Sequence, residues 1–233
     1  MPEQTGASYA GKSLKYASTV DDKPWNAFYE RPAVLSMLPP LAQKKVLDAG
    51  CGSGWYTDYL CEQGAQVTAV DFDPDFVALT QKRLGSRARV LQADLSLPLT
   101  FAADAGFDLV VSPLVMHYFK EWEPVLKEFH RVLKPDGLLV FSTHHPFMDW
   151  KNFDRPDYFA IEKLDDEWKD VGKIQFFRRP LTAMSAALST SGFVIDRLLE
   201  PQATEDFRQA LPEAYDRLMK NPWFLVIRAR KAE

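Results

Sequence analysis

Two spacings of apolar residues alternate along this chain. Short, nearly continuous apolar runs predict buried β-strands, and segments with apolar residues every three or four positions predict amphipathic helices. The apolar runs predict seven strands, at 45–48, 66–71, 89–93, 107–112, 138–143, 193–199 and 223–230. The helical spacing predicts helices at 25–38, 55–63, 74–84, 123–133 and 181–191. Strands that alternate with helices indicate an α/β fold, a doubly wound sheet with right-handed crossovers.

Glycine and proline mark the ends of these elements. Pro32 predicts a kink or restart in the first helix, because proline removes a hydrogen-bond donor. Gly64 suits the left-handed position that follows a helix, and Pro74 suits the first turn of the next one. Residues 134–137 predict a turn before the fifth strand.

One segment interrupts the alternation. Residues 144–181 separate the fifth strand from its helix and are far longer than a usual connection of a few residues. The segment contains eight aromatic side chains: Phe147, Trp150, Phe153, Tyr158, Phe159, Trp168, Phe176 and Phe177. It is interpreted as an inserted lid or substrate wall, the alternative being a surface hairpin whose rings are simply buried.

Length and composition place the chain in the ordinary globular class. Its 233 residues fit one domain with an insertion, preceded by a polar segment, 1–23, expected to be a flexible arm. The net charge of −4 argues against nucleic acid as the main partner. The polar N-terminus lacks the apolar region of a signal peptide, and no apolar run is long enough for a membrane span, so a cytoplasmic protein is expected. The two cysteines, Cys51 and Cys61, are not expected to form a disulfide.

A glycine run and three polar strand ends carry the chemical signal. Gly50, Gly52 and Gly54 follow the first strand and open a helix, where free N–H groups favour a polar or anionic ligand group. Asp71, Asp94 and Ser112 end later strands, at the edge where ligands of open α/β sheets bind. The alternatives are a plain strand–helix turn for the glycines, and helix caps or turn residues for the others.

Taken together, these motifs resemble the class I, Rossmann-like S-adenosylmethionine-dependent methyltransferases of the small-molecule (type 11-like) branch. The residues that carry the resemblance are 46–54, 70–73, 93–95, 107–112 and 131–137, and Asp136 departs from the usual second glycine. The resemblance implies S-adenosylmethionine as cofactor, S-adenosylhomocysteine as product, and a last strand inserted antiparallel between strands five and six. It covers 25–145 closely and the last strands loosely.

The resemblance also implies roles for individual residues. The glycine loop would hold the methionine portion, through Asp48, Gly50, Cys51, Gly52 and Gly54. Asp71 would bind the ribose, Phe72 would cover a face of the adenine, and Asp94 and Leu95 would contact the adenine. The chain after strand four would pass near the sulfonium, at Ser112, Pro113 and Leu114. Tyr29 and Arg31 belong to the helix that in this family often folds over the cofactor, although a surface arginine is an equal alternative for Arg31.

Glycine spacing separates this interpretation from a nicotinamide-dependent reductase. Dinucleotide fingerprints place the third glycine one residue later, where this chain has Trp55. A non-catalytic protein that binds S-adenosylmethionine as a regulator is the other alternative.

Histidines supply the candidate general bases, because imidazole titrates nearest neutral pH. His117 follows strand four, and His144 and His145 follow strand five, at the same edge as the glycine loop. The alternative is that none of the three transfers a proton. No metal site is expected.

The acceptor is expected to be a small molecule methylated on an O, N or C atom. The segment after strand four lacks the second proline and the ring of amino-adenine methyltransferases, and no cysteine lies where a cytosine enzyme needs its nucleophile. Arg178 and Arg179 are candidates for meeting an anionic acceptor, although solvated strand-end charges are the favoured interpretation. The sequence indicates neither the identity of the acceptor nor the oligomeric state.

Overall fold

The computed structural model describes residues 11–168 and 171–232, and seven strands in it form one sheet. These strands are β1 (Lys45–Ala49), β2 (Gln66–Asp71), β3 (Arg89–Gln92), β4 (Phe107–Pro113), β5 (Leu133–His144), β8 (Phe193–Leu199) and β9 (Phe224–Lys231). Their order across the sheet is β3-β2-β1-β4-β5-β9-β8. Strands β6 (Glu162–Trp168) and β7 (Gly172–Arg178) form a separate hairpin.

The helices are α1 (Ser13–Val20), α2 (Arg31–Met37), α3 (Trp55–Glu62), α4 (Pro74–Leu84), α5 (Glu123–Val132), α6 (Pro146–Asn152), α7 (Leu181–Thr190), α8 (Glu205–Ala210) and α9 (Pro212–Leu218). The predicted α/β fold is confirmed, since β3, β2, β1, β4 and β5 pair in parallel. The predicted position of the last strand is confirmed too, because β9 pairs antiparallel with both β5 and β8.

Strand β4 shows how the sheet builds a core on each face. Leu109, Val110 and Val111 are all fully buried, since successive side chains of a strand point to opposite faces. Val110 belongs to a cluster that includes residues of α5 and α7, and its two neighbours belong to a cluster that includes residues of α2 and α3. This two-sided burial leaves the strand ends as the open edge at which a ligand can bind.

The turn predicted at 134–137 becomes a bulge inside β5. The pairing of β4 with β5 shifts register between Phe107 and Leu109, and Asp136 takes a left-handed φ of 59°. Residues 134–137 are therefore accommodated within the strand instead of preceding it.

The N-terminal segment differs from its prediction. Ser13–Val20 forms helix α1 where a flexible arm was expected, so the prediction is wrong for this stretch, while residues 1–10 lie outside the described residues. Tyr16 and Ala17 pack against the cluster that contains Phe76, and the Ser13 hydroxyl donates a buried hydrogen bond of 2.8 Å to Asp73 Oδ2.

The kink or restart predicted at Pro32 takes the form of a π-helical turn. A π-helical turn, Asn26–Glu30, precedes α2, and Pro32 occupies the first turn of α2. The chain stays helical from the π-helical turn into α2, since Glu30 and Arg31 both have helical φ and ψ angles, so Pro32 distorts a continuous helix.

The insertion after β5 consists of α6 and the β6–β7 hairpin. Its rings divide between wall and surface, since Phe176 is 1% exposed and Phe159 is 71% exposed. Helices α6, α8 and α9 were not predicted. Across residues 11–168 and 171–232, no helix combines the length and apolar character needed to cross a membrane.

Candidate functional site

A cavity of about 740 Å³ opens at the carboxyl ends of the central strands. Twelve of the predicted site residues line it: Arg31, Gly50, Cys51, Gly52, Asp71, Phe72, Asp94, Leu95, Pro113, Leu114, His117 and His144. The other five predicted residues are described by the structure but lie outside the cavity wall: Tyr29, Asp48, Gly54, Ser112 and His145.

Within the glycine loop, Gly50 packs against Val115, whereas Gly52 borders open space. Gly50 has φ 85°, and a Cβ added there would lie 2.3 Å from Val115 Cγ2, so only glycine fits. Gly52 has φ 54°, and an added Cβ would meet no atom within 4 Å. The backbone is thus held close to Val115 at Gly50, while Gly52 lets a ligand approach the chain closely.

Asp71, at the end of β2, holds the glycine loop through its carboxylate. Its carboxylate accepts hydrogen bonds from the backbone N–H groups of Gly52 at 2.8 Å and Asp73 at 3.0 Å. Burial raises the pKa of Asp71 to about 6, and the backbone donors partly oppose the rise. The Asp71 carboxylate therefore shapes the loop and also faces the cavity.

Asp48 lies beneath the loop instead of in the cavity wall. Its Oδ2 accepts a hydrogen bond of 2.6 Å from Thr57 of α3, and its Oδ1 has no partner in the described part of the chain. Complete burial raises the pKa of Asp48 to about 7. Asp48 thus acts on the loop through α3.

Three other predicted residues also support the wall from outside. Gly54, with φ 84°, starts α3 against the side chain of Thr80. The Ser112 hydroxyl donates to the Ala49 carbonyl at 2.9 Å and joins β4 to β1. The Tyr29 hydroxyl accepts a hydrogen bond of 2.9 Å from the Trp223 N–H.

The acidic rim continues along the ends of β2 and β3. The Phe72 side chain is 43% exposed, and Asp94 accepts a hydrogen bond of 2.8 Å from the Ser96 N–H. Leu95 is buried beside them and also lines the cavity. An exposed ring and a carboxylate therefore flank the same end of the cavity.

The segment after β4 is held in a strained conformation. Leu114 has a left-handed φ of 54°, and its N–H lies 3.0 Å from both the carbonyl and the hydroxyl oxygen of Ser142. The Ser142 hydroxyl donates to Glu30, which also accepts a hydrogen bond of 2.8 Å from the Tyr56 hydroxyl. Burial raises the pKa of Glu30, which lines the cavity. Sequence reasoning missed Glu30, because a lone glutamate in a helix pattern resembles a surface residue.

Arg31 lines the cavity, but its guanidinium already has protein partners. It donates to the backbone carbonyls of Val20 at 2.9 Å and Asp21, and it lies 4.2 Å from the Trp55 ring centroid. Burial lowers the pKa of Arg31. The arginine therefore fixes the end of α1 over the cavity.

The far half of the cavity is lined by rings and two histidines. His117 and His144 stack with their ring centroids 4.2 Å apart, and Phe176 contacts His144 edge-on at 4.4 Å. Asp149 of α6 places Oδ1 3.5 Å from His144 Nδ1. His117 is 2% exposed, and neither of its ring nitrogens has a hydrogen-bond partner among the described residues.

The remaining histidine and the paired arginines lie outside this cavity wall. His145 Nε2 lies 2.8 Å from Glu200 Oε1. Arg178 binds Glu162 and the Asp157 and Tyr158 carbonyls, and Arg179 donates to the Phe119 and Lys120 carbonyls. Neither arginine lines the cavity.

Comparisons with known proteins agree with this arrangement. The sequence profile of the Methyltransferase domain family (Methyltransf_11) matches residues 47–141. An S-adenosylmethionine-dependent methyltransferase of known structure from Mesorhizobium loti is 29% identical, with a TM-score of 0.75 over 86% of this chain and 97% of that one. A candidate S-adenosylmethionine-dependent methyltransferase from Listeria monocytogenes is 25% identical, with a TM-score of 0.77 over 88% and 97%.

A malonyl-[acyl-carrier protein] O-methyltransferase from Enterobacter lignolyticus (strain SCF1) is 36% identical over 112 residues. That match covers 48% of this chain and 43% of the relative, so the chain spans less than half the length of that enzyme.

The cavity wall has the chemistry that S-adenosylmethionine requires. The cofactor is cationic at sulfur and carries hydroxyl and amino donors, and the wall provides carboxylate acceptors at Asp71 and Asp94. Gly52 leaves room for close approach to the backbone. The family profile over residues 47–141 and structural relatives that span most of the chain, together with these features, support a class I, Rossmann-like S-adenosylmethionine-dependent methyltransferase.

Proposed function

We propose that the protein is a cytoplasmic enzyme that methylates an oxygen, nitrogen or carbon atom of a small molecule. The observation that carries the proposal is the continuity of one cavity, whose wall runs from Gly52 and Asp71 to His144 and Phe176. A small acceptor in the ring-lined half would share this enclosed space with the cofactor. Alignment of two reactants in one site contributes up to about 7–11 kcal/mol.

In this proposal the cofactor occupies the half formed by the glycine loop. The loop from Gly50 to Gly52 holds the methionine portion, and Asp71 accepts hydrogen bonds from the ribose hydroxyls. Asp94 and Leu95 contact the adenine, and Phe72 covers one of its faces. S-adenosylmethionine supplies a methyl group activated by positively charged sulfur.

The protein residues orient the acceptor, exclude water and hold the departing proton. The β6–β7 hairpin and α6 serve as the acceptor wall, since Trp168, Phe176 and Asp149 line the cavity. Of the three candidate bases, His117 and His144 share this wall, and His145 does not. Pro113 and Leu114 form the boundary between the cofactor half and the acceptor half.

A small acceptor is favoured over nucleic acid by charge. The chain has a net charge of −4, and its cavity wall carries carboxylates from Glu30 to Asp166. Polyanions bind proteins chiefly through basic surfaces that neutralise phosphates. The same argument weighs against the carboxylate of a malonyl group as the acceptor.

Calorimetry on an Asp71 variant tests the cofactor assignment. Asp71→Asn keeps the shape of the side chain and removes its charge, so S-adenosylhomocysteine affinity should fall by about 1–3 kcal/mol, or about 5- to 150-fold. Asp75→Asn is the matched control, because Asp75 is exposed on the first turn of α4.

The controls define what would refute the assignment. The Asp75→Asn affinity should equal that of the wild type. Unchanged affinity in Asp71→Asn would refute the ribose role of Asp71. Binding of neither S-adenosylmethionine nor S-adenosylhomocysteine by the wild type at millimolar concentration would overturn the proposed function.

A further inference from the structure

Glu30 is a buried carboxylate that forms no ion pair within the described part of the chain. It is 1% exposed and ends the π-helical turn Asn26–Glu30, a kind of turn that is frequent at functional sites. The guanidinium of its neighbour Arg31 donates instead to the Val20 and Asp21 carbonyls. Buried carboxylates are usually paired with a cation, because an isolated ionised carboxylate is costly to remove from water. The position of Glu30 therefore indicates a role in binding a positively charged group.

Two hydroxyl groups favour the ionised form of the Glu30 carboxylate. The Tyr56 hydroxyl donates to Oε2 at 2.8 Å, and the Ser142 hydroxyl donates to Oε1. Ser142 can donate because its oxygen accepts a separate hydrogen bond of 3.0 Å from the Leu114 N–H. Burial raises the pKa of Glu30, and the two hydroxyl donors and the positive charge of Arg31 oppose the rise. Neutral donors thus hold the carboxylate in place without neutralising its charge.

The Glu30 carboxylate is also tied to the middle of the cavity wall. Glu30 and Tyr56 line the cavity together with Gly50 and Leu114. Ser142 connects Glu30 to Leu114, whose φ of 54° is left-handed. Backbone strain of this kind persists where surrounding contacts fix it, and it is concentrated at functional sites. The connection therefore fixes the negative charge beside the chain that follows β4.

A negative charge at this boundary can distinguish the cofactor from its product. In the proposed function Pro113 and Leu114 separate the cofactor half from the acceptor half, so the methyl group and its sulfur must lie beside them for transfer. The sulfur is positively charged in S-adenosylmethionine and neutral in S-adenosylhomocysteine, whereas the two molecules share the ammonium, carboxylate, ribose and adenine groups. A buried negative charge near the sulfur favours the first molecule, since charges interact strongly where water is excluded.

The other carboxylates near the glycine loop lie elsewhere. Asp71 and Asp94 line the cavity at the ends of β2 and β3, where the proposed function places the ribose and adenine that both molecules share. Asp48 lies beneath the loop, outside the cavity wall, and bonds to Thr57. Of these four carboxylates, Glu30 is the one that the described hydrogen bonds join to Leu114.

From these observations we infer that Glu30 is the residue that selects positively charged S-adenosylmethionine over neutral S-adenosylhomocysteine. Its charge acts across the cavity wall and needs no hydrogen bond to the cofactor. The preference favours the exchange of product for fresh cofactor after each transfer. This inference rests on the proposed function and adds a specificity-determining residue.

Calorimetry with both molecules on the full chain tests the role of Glu30. Glu30→Gln keeps the size and the hydrogen-bonding capacity of the side chain and removes its charge. S-adenosylmethionine affinity should therefore fall at least about tenfold, and S-adenosylhomocysteine affinity less than about threefold. Glu30→Asp keeps the charge on a shorter side chain, so it should retain most of the preference for S-adenosylmethionine.

Two matched controls accompany these variants. Asp71→Asn should lower both affinities by a similar factor, because both molecules contain the ribose. Glu62→Gln removes a carboxylate that is exposed at the end of α3, and both of its affinities should equal those of the wild type.

A measurement on the wild type does not depend on how the variants fold. Sinefungin has an amine-bearing carbon in place of the methylated sulfur, and this amine is positively charged at neutral pH. The wild type should bind S-adenosylmethionine and sinefungin at least about tenfold more tightly than S-adenosylhomocysteine. Equal affinity for all three molecules would overturn the inference.

The variants give further outcomes that would contradict the inference. Equal loss of both affinities in Glu30→Gln would assign Glu30 to the shape of the wall, and unchanged affinities would show that its charge has no effect. Urea unfolding of ligand-free Glu30→Gln separates charge from folding: the midpoint should equal or exceed that of the wild type, because a buried unpaired charge has been removed. Binding of neither S-adenosylmethionine nor S-adenosylhomocysteine by the wild type would instead count against the proposed function itself.

Discussion

At the scale of single residues, Gly50 of the glycine loop is expected to matter for stability and Gly52 for cofactor binding. Gly50 and Gly52 both take left-handed φ angles, which cost other residues roughly 1–2 kcal/mol. They differ in what surrounds them: a methyl group at Gly50 would overlap Val115, whereas one at Gly52 would meet open space. The same substitution should therefore have different effects two residues apart.

Gly50→Ala should lower the free energy of unfolding by at least about 2 kcal/mol, since overlap with Val115 adds to the backbone strain. Gly52→Ala should lose about 1–2 kcal/mol of stability from strain, yet weaken S-adenosylhomocysteine binding at least tenfold. Urea unfolding and calorimetry measure the two quantities. Gly85→Ala is the control: Gly85 also has a positive φ, 56°, but lies outside the cavity wall, so it should lose stability and keep its affinity.

Local sequence patterns identified the residues whose placement follows from a strand end. Asp71, Asp94 and Leu114 could be placed because each follows a recognisable apolar strand, and strand ends of parallel sheets share one edge. Glu30 could not be found in this way. Its role depends on Ser142, 112 positions away in the sequence, and such a contact leaves no local pattern.

At the scale of elements, polar contacts and short length explain the missed helices. Helix α1 buries Ser13 as well as Val20 and leaves Leu14 64% exposed, so its apolar residues mark its packed face only in part. Helices α8 and α9 span only 6 and 7 residues, and α9 begins at Pro212. The long strands and helices of the sheet were predictable because apolar periodicity alone determines them.

Helix α1 is expected to control how fast the cofactor leaves. Tyr16 and Val20 of α1 line the cavity, and the Ser13–Asp73 hydrogen bond fastens the helix to the start of α4. Ser13→Ala should therefore speed hydrogen exchange in α1 and raise the dissociation rate of S-adenosylhomocysteine several-fold in stopped-flow measurements.

Ser18→Ala is the control for α1. Ser18 is exposed on the same helix, and its hydroxyl bonds only to the Lys15 carbonyl within the helix among the described contacts. Its exchange and dissociation rates should match those of the wild type. Equal rates in the two variants would show that α1 does not retain the cofactor.

At the scale of the whole molecule, negative charge is concentrated around one cavity. Its wall contains the carboxylates Glu30, Asp71, Asp73, Asp94, Asp149 and Asp166, with Lys23 and Arg31 as the cationic side chains among the described lining residues. A cleft lined by one sign of charge raises the local concentration of oppositely charged ligands. A cationic cofactor is attracted to this negative potential. Without a ligand, the same buried carboxylates lower the stability of the folded protein.

The burial of these carboxylates should make the folded protein less stable as the pH rises. Burial raises the pKa of Asp48 to about 7, whereas an unfolded aspartate titrates near 3.9. Below about pH 4 the carboxyl is protonated in both states, and as the pH rises towards 7 the unfolded chain releases its proton first. The folded state therefore loses up to about 1.4 kcal/mol per pH unit in this window.

Asp48→Asn removes this ionisation and keeps an acceptor for the Thr57 hydroxyl. Its stability relative to the wild type should therefore increase between pH 5 and pH 8, measured by urea unfolding of the ligand-free protein. Asp71, whose pKa is raised to about 6, contributes a slope of the same sign in both proteins, and its charge adds to the rise in the pKa of Asp48. Asp75→Asn, at an exposed position, should show a difference that does not change with pH. A pH-independent difference for Asp48→Asn would mean that the buried carboxyl keeps an ordinary pKa.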